Sequence, residues 1–338
     1  VGPDATVREV ELAGEAEGWE VRARVAMQSG GETGWRSDAA ALGRGVSGFA
    51  RVFSQLKPHW VVVLGDRVEA FAAASAAAVG GIGVAHIHGG DRASGAADEG
   101  MRHAISKLAH VHFAATEASE ARLRRMGEEP WRVVLAGSPA AEGLERVRSV
   151  LPMSASEWTR VCVLMHPCGL AGDGDEGWAR AVLGGVRAAL GPEECAVWAE
   201  PNSDPGRDGV ERVMGGSGLA RLGHLEHEAF RGFLKWLGER GGVLVGNSSA
   251  GLIEAPLLGC VSVDVGPRQD GRERGDSVVS VGTHDPAAVA RAIRRAREAG
   301  VEREERRYGS GGAGDRIARV LGSIDPEAGG FLRKRNAF

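Results

Sequence analysis

The 338-residue chain has no excess of basic residues: 41 Lys and Arg stand against 45 Asp and Glu, a formal charge of −4. Without a basic footprint, nucleic acid or an anionic membrane is not expected as the main partner, although arginines can still gather around a small anion. No stretch approaches the 18 apolar residues of a membrane-spanning helix, and no signal peptide precedes the first patterned region. Cysteine is scarce. Cys162, Cys168, Cys195 and Cys260 lack metal-type or disulfide-framework spacing and sit mostly in apolar runs, so reduced thiols and a cytoplasmic location are expected. Internal repeats and low-complexity tracts are missing too. So is an initiator Met: Val1-Gly2-Pro3 leads into a polar segment, which points to a truncated beginning.

Apolar β-rich runs alternate with segments of helical length, the pattern of an α/β fold with parallel sheets. The first series is Trp60–Gly65, a helix from about Arg67 to Val79, Gly83–His88, helix Asp98–Ala109, Val111–Ala115, helix Ala118–Met126 and Arg132–Ala136. These strands lack strict alternation, as strands buried on both faces should. Pro152 and the serines of 149–154 break the pattern, which places a domain boundary near residue 150. A second series follows: Arg160–His166, helix Glu176–Leu190, Ala196–Glu200, helices Gly209–Met214 and Glu226–Gly238, Val243–Gly246, helix Ala250–Leu258 and Val261–Val265. Two doubly wound, Rossmann-like domains, 1–150 and 151–338, facing across a ligand cleft are expected. The last helix is expected to return toward the first domain, Arg291–Arg307 to be a solvated helix face, and Arg333-Lys334-Arg335 a mobile tail.

Chemistry concentrates just after the strand ends of the first domain. Asp66 and Glu69 flank Arg67, an arrangement that suits a base beside an anion-holding guanidinium, or merely a helix start decorated for its dipole. His86 and His88 share one strand face, and Asp91 follows a glycine pair that lets the backbone approach a ligand. This set could carry protons, or bind zinc with Asp66, though no HExxH or Cys/His set completes a metal site. Asp98, Glu99, Arg102 and His103 lie within one and a half turns, after a small, flexible stretch, Asp91–Ala97, suited to covering a substrate. The bland alternative is a surface salt bridge between Asp98 and Arg102.

In the second domain His166-Pro167 ends the first strand, and Gly246-Asn247-Ser248-Ser249-Ala250-Gly251 opens a helix. Hydroxyls and backbone amides at a helix N-terminus make a phosphate cradle, beyond the ordinary Ser cap. Glu254 lies one turn in, where a carboxylate can accept both hydroxyls of a ribose, and Arg268 and Arg272 offer guanidinium groups to a diphosphate.

The runs Val62–Glu69, Ala85–Asp91, Asp98–Lys107, Gly246–Gly259 and Gly266–Glu273 together resemble the hydrolysing UDP-N-acetylglucosamine 2-epimerases, the sialic-acid-pathway branch of the 2-epimerase superfamily. The resemblance implies a GT-B type fold and hydrolysis of UDP-GlcNAc, or a related UDP-2-acetamido sugar, to UDP and N-acetylmannosamine through a glycal, without a cofactor. By motif position Asp66, Asp91 and Asp98 correspond to acid/base carboxylates, with Arg102 and His166 beside them. The substrate-binding set would be Arg67, His88, Glu99, Asn247, Ser248, Ser249, Gly251, Glu254 and Arg268. A homo-oligomer, dimer or tetramer, is implied as well. Two departures stand out. Asp91 replaces the usual Glu, and nothing matches the family's opening strand, loop and helix before Pro3–Val21, so the first domain is expected to lack its first strand and helix. A GT-B glycosyltransferase, a catalytically impaired UDP-sugar-binding member and a metal hydrolase are the competing readings.

Overall fold

The computed structural model describes residues 5–28, 35–93, 98–169, 174–202, 204, 206–223, 225–301, 306–335 and 337. Helices α1 (Ala5–Glu17) and α2 (Trp35–Leu56) precede a parallel sheet of strands β1 (Trp60–Leu64), β2 (Gly83–Ile87), β3 (Val111–Ala114) and β4 (Val133–Leu135), in that spatial order. Helices α3 (Val68–Val79), α4 (Asp98–Leu108) and α5 (Glu117–Arg125) make the crossovers. All five β2 residues are buried, which accounts for the missing alternation in the sequence. Alanine-rich α3 buries Ala72, Ala73, Ala74, Ala76 and Ala77, small side chains that let it lie close to the sheet. Val61 and Val63 of β1 face this core, whereas Val62 and Leu64, on the other face of this edge strand, are 46% and 57% exposed. The extended stretch before α2 packs on it through Val25 and Met27, and a Cβ on Gly45 or Gly48 would come within 2.5 or 2.4 Å of those side chains.

The second sheet has six parallel strands in the order β10-β9-β8-β5-β6-β7. Its elements are β5 (Thr159–Leu164), α6 (Gly174–Ala189), β6 (Cys195–Ala199), α7 (Arg207–Gly215), β7 (Ala220–Gly223), α8 (His227–Gly238), β8 (Val243–Gly246), α9 (Ala250–Leu257), β9 (Val261–Val265), β10 (Val278–Val281) and α10 (Pro286–Ala299). Apolar cores cover both faces, one around Trp178 and Trp198 and the other around Phe233 and Trp236. Helix α11 (Ala313–Ser323) then packs on the first sheet, with Ile317 against Ala85, Ile87, Val111 and Phe113.

The elements not anticipated from the sequence include α1, α2, β7 and β10. Strands β7 and β10 are four-residue runs with polar members, too short to stand out, and α2 is rich in Gly and Ser. The arginines of α10 form the solvated face expected for this segment, with Arg291, Arg294 and Arg295 exposed, while Ala292, Ile293 and Ala296 on the other face are buried in the large core. The mobile-tail expectation fails. Lys334 Nζ lies 2.7 Å from the buried Glu128 carboxylate and donates to the Ser106 and Ala109 carbonyls, while Phe331 packs edge-on against Trp60 and tilted against His110 and Trp131.

Candidate active site

Because every strand of both sheets runs parallel, the loops after β1, β2, β5, β8 and β9 share the C-terminal edges where α/β sheets bind ligands. After β1, Asp66 pairs with the Arg102 guanidinium, which reaches it from α4 and is 1% exposed. Arg102 Nη1 also donates to the Asp91 carbonyl at 3.2 Å. Burial, with Arg272 and Arg122 close by, lowers Arg102 to about 9, still a cation at neutral pH. Arg102 is therefore a buried partner of Asp66, not the exposed half of the surface pair that was the bland alternative. Asp98 opens α4, but its side chain and residues 94–97 of the expected covering stretch lie outside the described residues. Glu99 lies 3.4 Å from Arg92 and 3.5 Å from His103.

At the end of β2, His86 is fully buried; Nε2 donates to the Gly65 carbonyl at 2.8 Å and Nδ1 accepts from Ser106 Oγ at 3.1 Å. Burial lowers it to about 3, so it is a neutral brace for the Asp66 turn. His88 adopts φ +63, a left-handed conformation costing a non-glycine residue about 1–2 kcal/mol. Its N–H bonds the Phe113 carbonyl at 3.0 Å and helps hold the turn. The His88 ring joins Asp91 Oδ2 at 2.8 Å to Ser138 Oγ at 2.9 Å, and Ser119 Oγ donates to Asp91 Oδ1 at 2.7 Å. Burial works to raise the Asp91 carboxyl; the His88 charge and hydrogen bonds from His88 and Ser119, with Arg272 nearby, outweigh it and hold Asp91 below the usual carboxylate range. Gly90 of the glycine pair also packs closely: a Cβ there would sit 2.3 Å from the Ser119 carbonyl.

In the second sheet, Ser249 starts α9 without a side-chain cap bond, and Ser248 Oγ accepts from Ala250 N at 3.3 Å; both serines are half-buried. Gly246 adopts φ +154, with space for no side chain, since a Cβ would lie 1.9 Å from the Leu164 carbonyl. Gly251 lies beneath, its carbonyl accepting from Ser262 Oγ at 2.6 Å. Asn247 is 1% exposed and serves as a brace: Oδ1 accepts from His166 N at 2.7 Å and Nδ2 donates to the His166 carbonyl at 2.8 Å. His166 Nδ1 accepts from Asn202 N at 3.1 Å, and burial, helped by Arg268, lowers the ring to about 3. With Nδ1 an acceptor, neutral His166 carries its proton on Nε2.

Arg67, from the first sheet, lies 3.3 Å from Asp204, and Arg268, from the second, 3.7 Å from the same carboxylate. The structure thus brings Arg67, His166, Arg268, Asn247 and the two serines together, and separately joins Asp66, Arg102, His88 and Asp91. Glu254 sits apart from both: its Oε1 accepts from Arg231 Nε at 2.8 Å and His227 Nε2 at 3.1 Å. Arg231, His227, Asp204, Ser119, Ser138 and Glu273 escaped the sequence reading. The only local signal was the i,i+4 spacing of His227 and Arg231 on α8; the other contacts form through the fold. Among the described residues no group of three His, Cys, Asp or Glu could hold a metal ion, and no helix is long and apolar enough to cross a membrane.

A model of the family described as UDP-N-acetylglucosamine 2-epimerase matches residues 16–322. The chain belongs to this family. Among its 2-epimerase relatives, the UDP-N,N'-diacetylbacillosamine 2-epimerase (hydrolyzing) of Legionella pneumophila is 35% identical over 317 residues, 89% of this chain and 80% of that protein. The UDP-N-acetylglucosamine 2-epimerase of Neisseria meningitidis is 31% identical over 246 residues, and the match spans 71% of this chain but only 64% of that protein. A solved 2-epimerase from Neisseria meningitidis, bound to UDP-GlcNAc, superposes with a TM-score of 0.76 at 19% identity, over 94% of this chain and 89% of that one. One from Listeria monocytogenes gives 0.75 over 94% and 85%. These likenesses carry the fold: two Rossmann-like units of the GT-B type.

Proposed function

We propose that this 2-epimerase family member hydrolyses a UDP-2-acetamido sugar with inversion at the second sugar carbon. The observation that carries the proposal is the placing, at parallel strand ends, of the Asp66–Arg102 and Asp91–His88 pairs on one sheet and a serine cradle with Arg268 on the other, linked where Arg67 and Arg268 reach Asp204. A carboxylate takes the proton from the second carbon, the bond from the first carbon to the diphosphate breaks with its electrons going to UDP, and a glycal remains. Water then adds, its hydroxyl to the first carbon and a proton to the opposite face of the second. Asp66, Asp91 and Asp98 are the acid/base candidates. Arg67, Arg268 and the α9 N-terminus meet the charge growing on the departing diphosphate. Neutral His166 can donate from Nε2. Glu99 lies on the sugar side, and Glu254 reaches the ribose by exchanging His227 or Arg231 for its hydroxyls.

The substrate is UDP-GlcNAc or its 2,4-diacetamido-6-deoxy relative; the similarity to the Legionella pneumophila protein supports the second. Incubation of the purified chain with each, following UDP and the free 2-acetamido sugar, tests the proposal, with Asp66→Asn and Asp98→Asn as controls. Release of both products, lost in the variants, is expected. Transfer of the sugar to an acceptor without epimerisation would replace this reading with a glycosyltransferase.

A further inference from the structure

Asp91 lies on an unbroken line of oxygen atoms that leaves its own sheet. Ser119 Oγ is 2.7 Å from Asp91 Oδ1, Thr116 Oγ1 is 2.9 Å from Ser119 Oγ, and Glu273 Oε2 is 2.6 Å from Thr116 Oγ1. Asp91, Ser119 and Thr116 are buried; Glu273, in the loop after β9, is half-buried. Ser119 and Thr116 belong to the start of α5, so the line crosses from one sheet to the other.

Proton counting decides what this line can do. Each hydroxyl has one proton to give. With both carboxylates ionised, Thr116 turns to Glu273 and Ser119 to Asp91, which leaves the two hydroxyl oxygens in contact with no proton between them. One proton on Glu273 removes that defect: Glu273 donates to Thr116, Thr116 to Ser119, and Ser119 to Asp91. Moving each proton one place along then leaves Glu273 ionised and Asp91 protonated, with no atom gained or lost.

The proposed reaction needs such a step. Inversion takes a proton on one face and returns one on the other, so each turnover leaves one carboxyl with a surplus and another with a deficit. Asp91 is 3% exposed and cannot exchange freely with solvent. We infer that Glu273 is the proton-exchange partner of Asp91, acting through Thr116 and Ser119 to reset it between turnovers. Glu273 is thus a positioning residue, remote from the sugar, and this role rests on the reaction proposed above. The groups facing Asp91 are His88, His86, Arg272, Arg122 and Tyr308; Arg122 and Tyr308 also face Glu273, and the Tyr308 hydroxyl donates to the Glu273 carbonyl at 2.9 Å. Arg122 faces both carboxylates, Glu273 more strongly than Asp91, so its charge favours the ionised form of Glu273.

Glu273→Gln keeps an oxygen for Thr116 but cannot pass a proton. With a UDP-sugar the wild type hydrolyses, kcat should fall about tenfold or more with KM within about twofold, and one limb of the kcat–pH profile should move. Thr116→Val should reproduce the loss and Thr116→Ser should restore activity. Wild-type kcat in Glu273→Gln at every pH, or a raised KM alone, would overturn the inference and leave Glu273 a clamp between the sheets. A readout without turnover separates this from failure of the proposed reaction. In the substrate-free protein the Asp91 carboxyl, followed by carbon-13 NMR, should titrate about half a unit or more away from wild type in Glu273→Gln. An unmoved titration overturns the relay whether or not the wild type hydrolyses UDP-GlcNAc.

Discussion

Two buried histidine–carboxylate pairs sit on the same four-stranded sheet, at opposite edges. At the C-terminal edge His88 meets Asp91 at 2.8 Å; at the other, His112 meets Glu128 at 3.0 Å. By residue type alone they are equivalent. Their surroundings differ. Burial works to raise Glu128, but His112 first, through its hydrogen bond and charge, and then Lys334 at 2.7 Å and Lys107 at 2.9 Å hold it ionised at about 2. Its acceptors are filled by the chain's own cations, and Lys334 ties the C-terminal segment to the sheet. Asp91 instead connects, through hydroxyls, to the facing sheet and lies near arginines suited to an anion. A buried pair is therefore not a site by itself; the edge of the sheet on which it lies decides whether it can meet a ligand.

The largest effect that would sharpen this contrast is at the C-terminal edge. Asp66→Asn should lower UDP release by about 10²–10⁴-fold. A loss under tenfold in a folded variant would move the acid/base role elsewhere. Glu128→Gln, at the opposite edge, should act on stability alone. Leaving Lys334, Lys107 and His112 short of a counter-charge should cost about 3 kcal/mol, read as a lower urea midpoint, with kcat within about twofold of wild type. A large loss of turnover there would break the comparison.

The serine cradle gives a smaller effect. Ser249→Ala should weaken UDP binding about tenfold in calorimetry while kcat holds, as expected for one hydrogen bond to a charged group. A pH effect is of similar size. His86 is held neutral, at about 3, so the unfolded chain takes up a proton below pH 6.5 that the native protein refuses. Stability is complete above that pH and is lost as the pH falls toward 3, by about 1.4 kcal/mol per unit from this ring. Between pH 7 and 5 wild type should lose about 2 kcal/mol more than His86→Gln; equal losses would mean that His86 is charged in the native state.

Both sheets were legible in the sequence because their strands are apolar runs flanked by turns, and Val243–Gly246 and Val261–Val265 match the expected boundaries. The strand-end positions of Asp66, His88 and Ser248 were legible for the same reason. The pairing of side chains was not. Asp98 and Arg102 are spaced as a helical pair, yet Arg102 turns inward because α4 packs over the β1 turn, where Asp66 offers a buried charge a partner. Thr116 and Glu273 are 157 positions apart, and no local pattern joins them. The Lys334 tail looked solvated because a charged run is solvated unless a buried carboxylate waits elsewhere in the fold.

The most direct test is to run the reaction in deuterated water with UDP-GlcNAc or its 2,4-diacetamido-6-deoxy relative and examine the released sugar by NMR. The account predicts free UDP and a sugar inverted at its second carbon, with one solvent deuteron there. A sugar still joined to UDP, or one released with its original configuration and hydrogen, would contradict it.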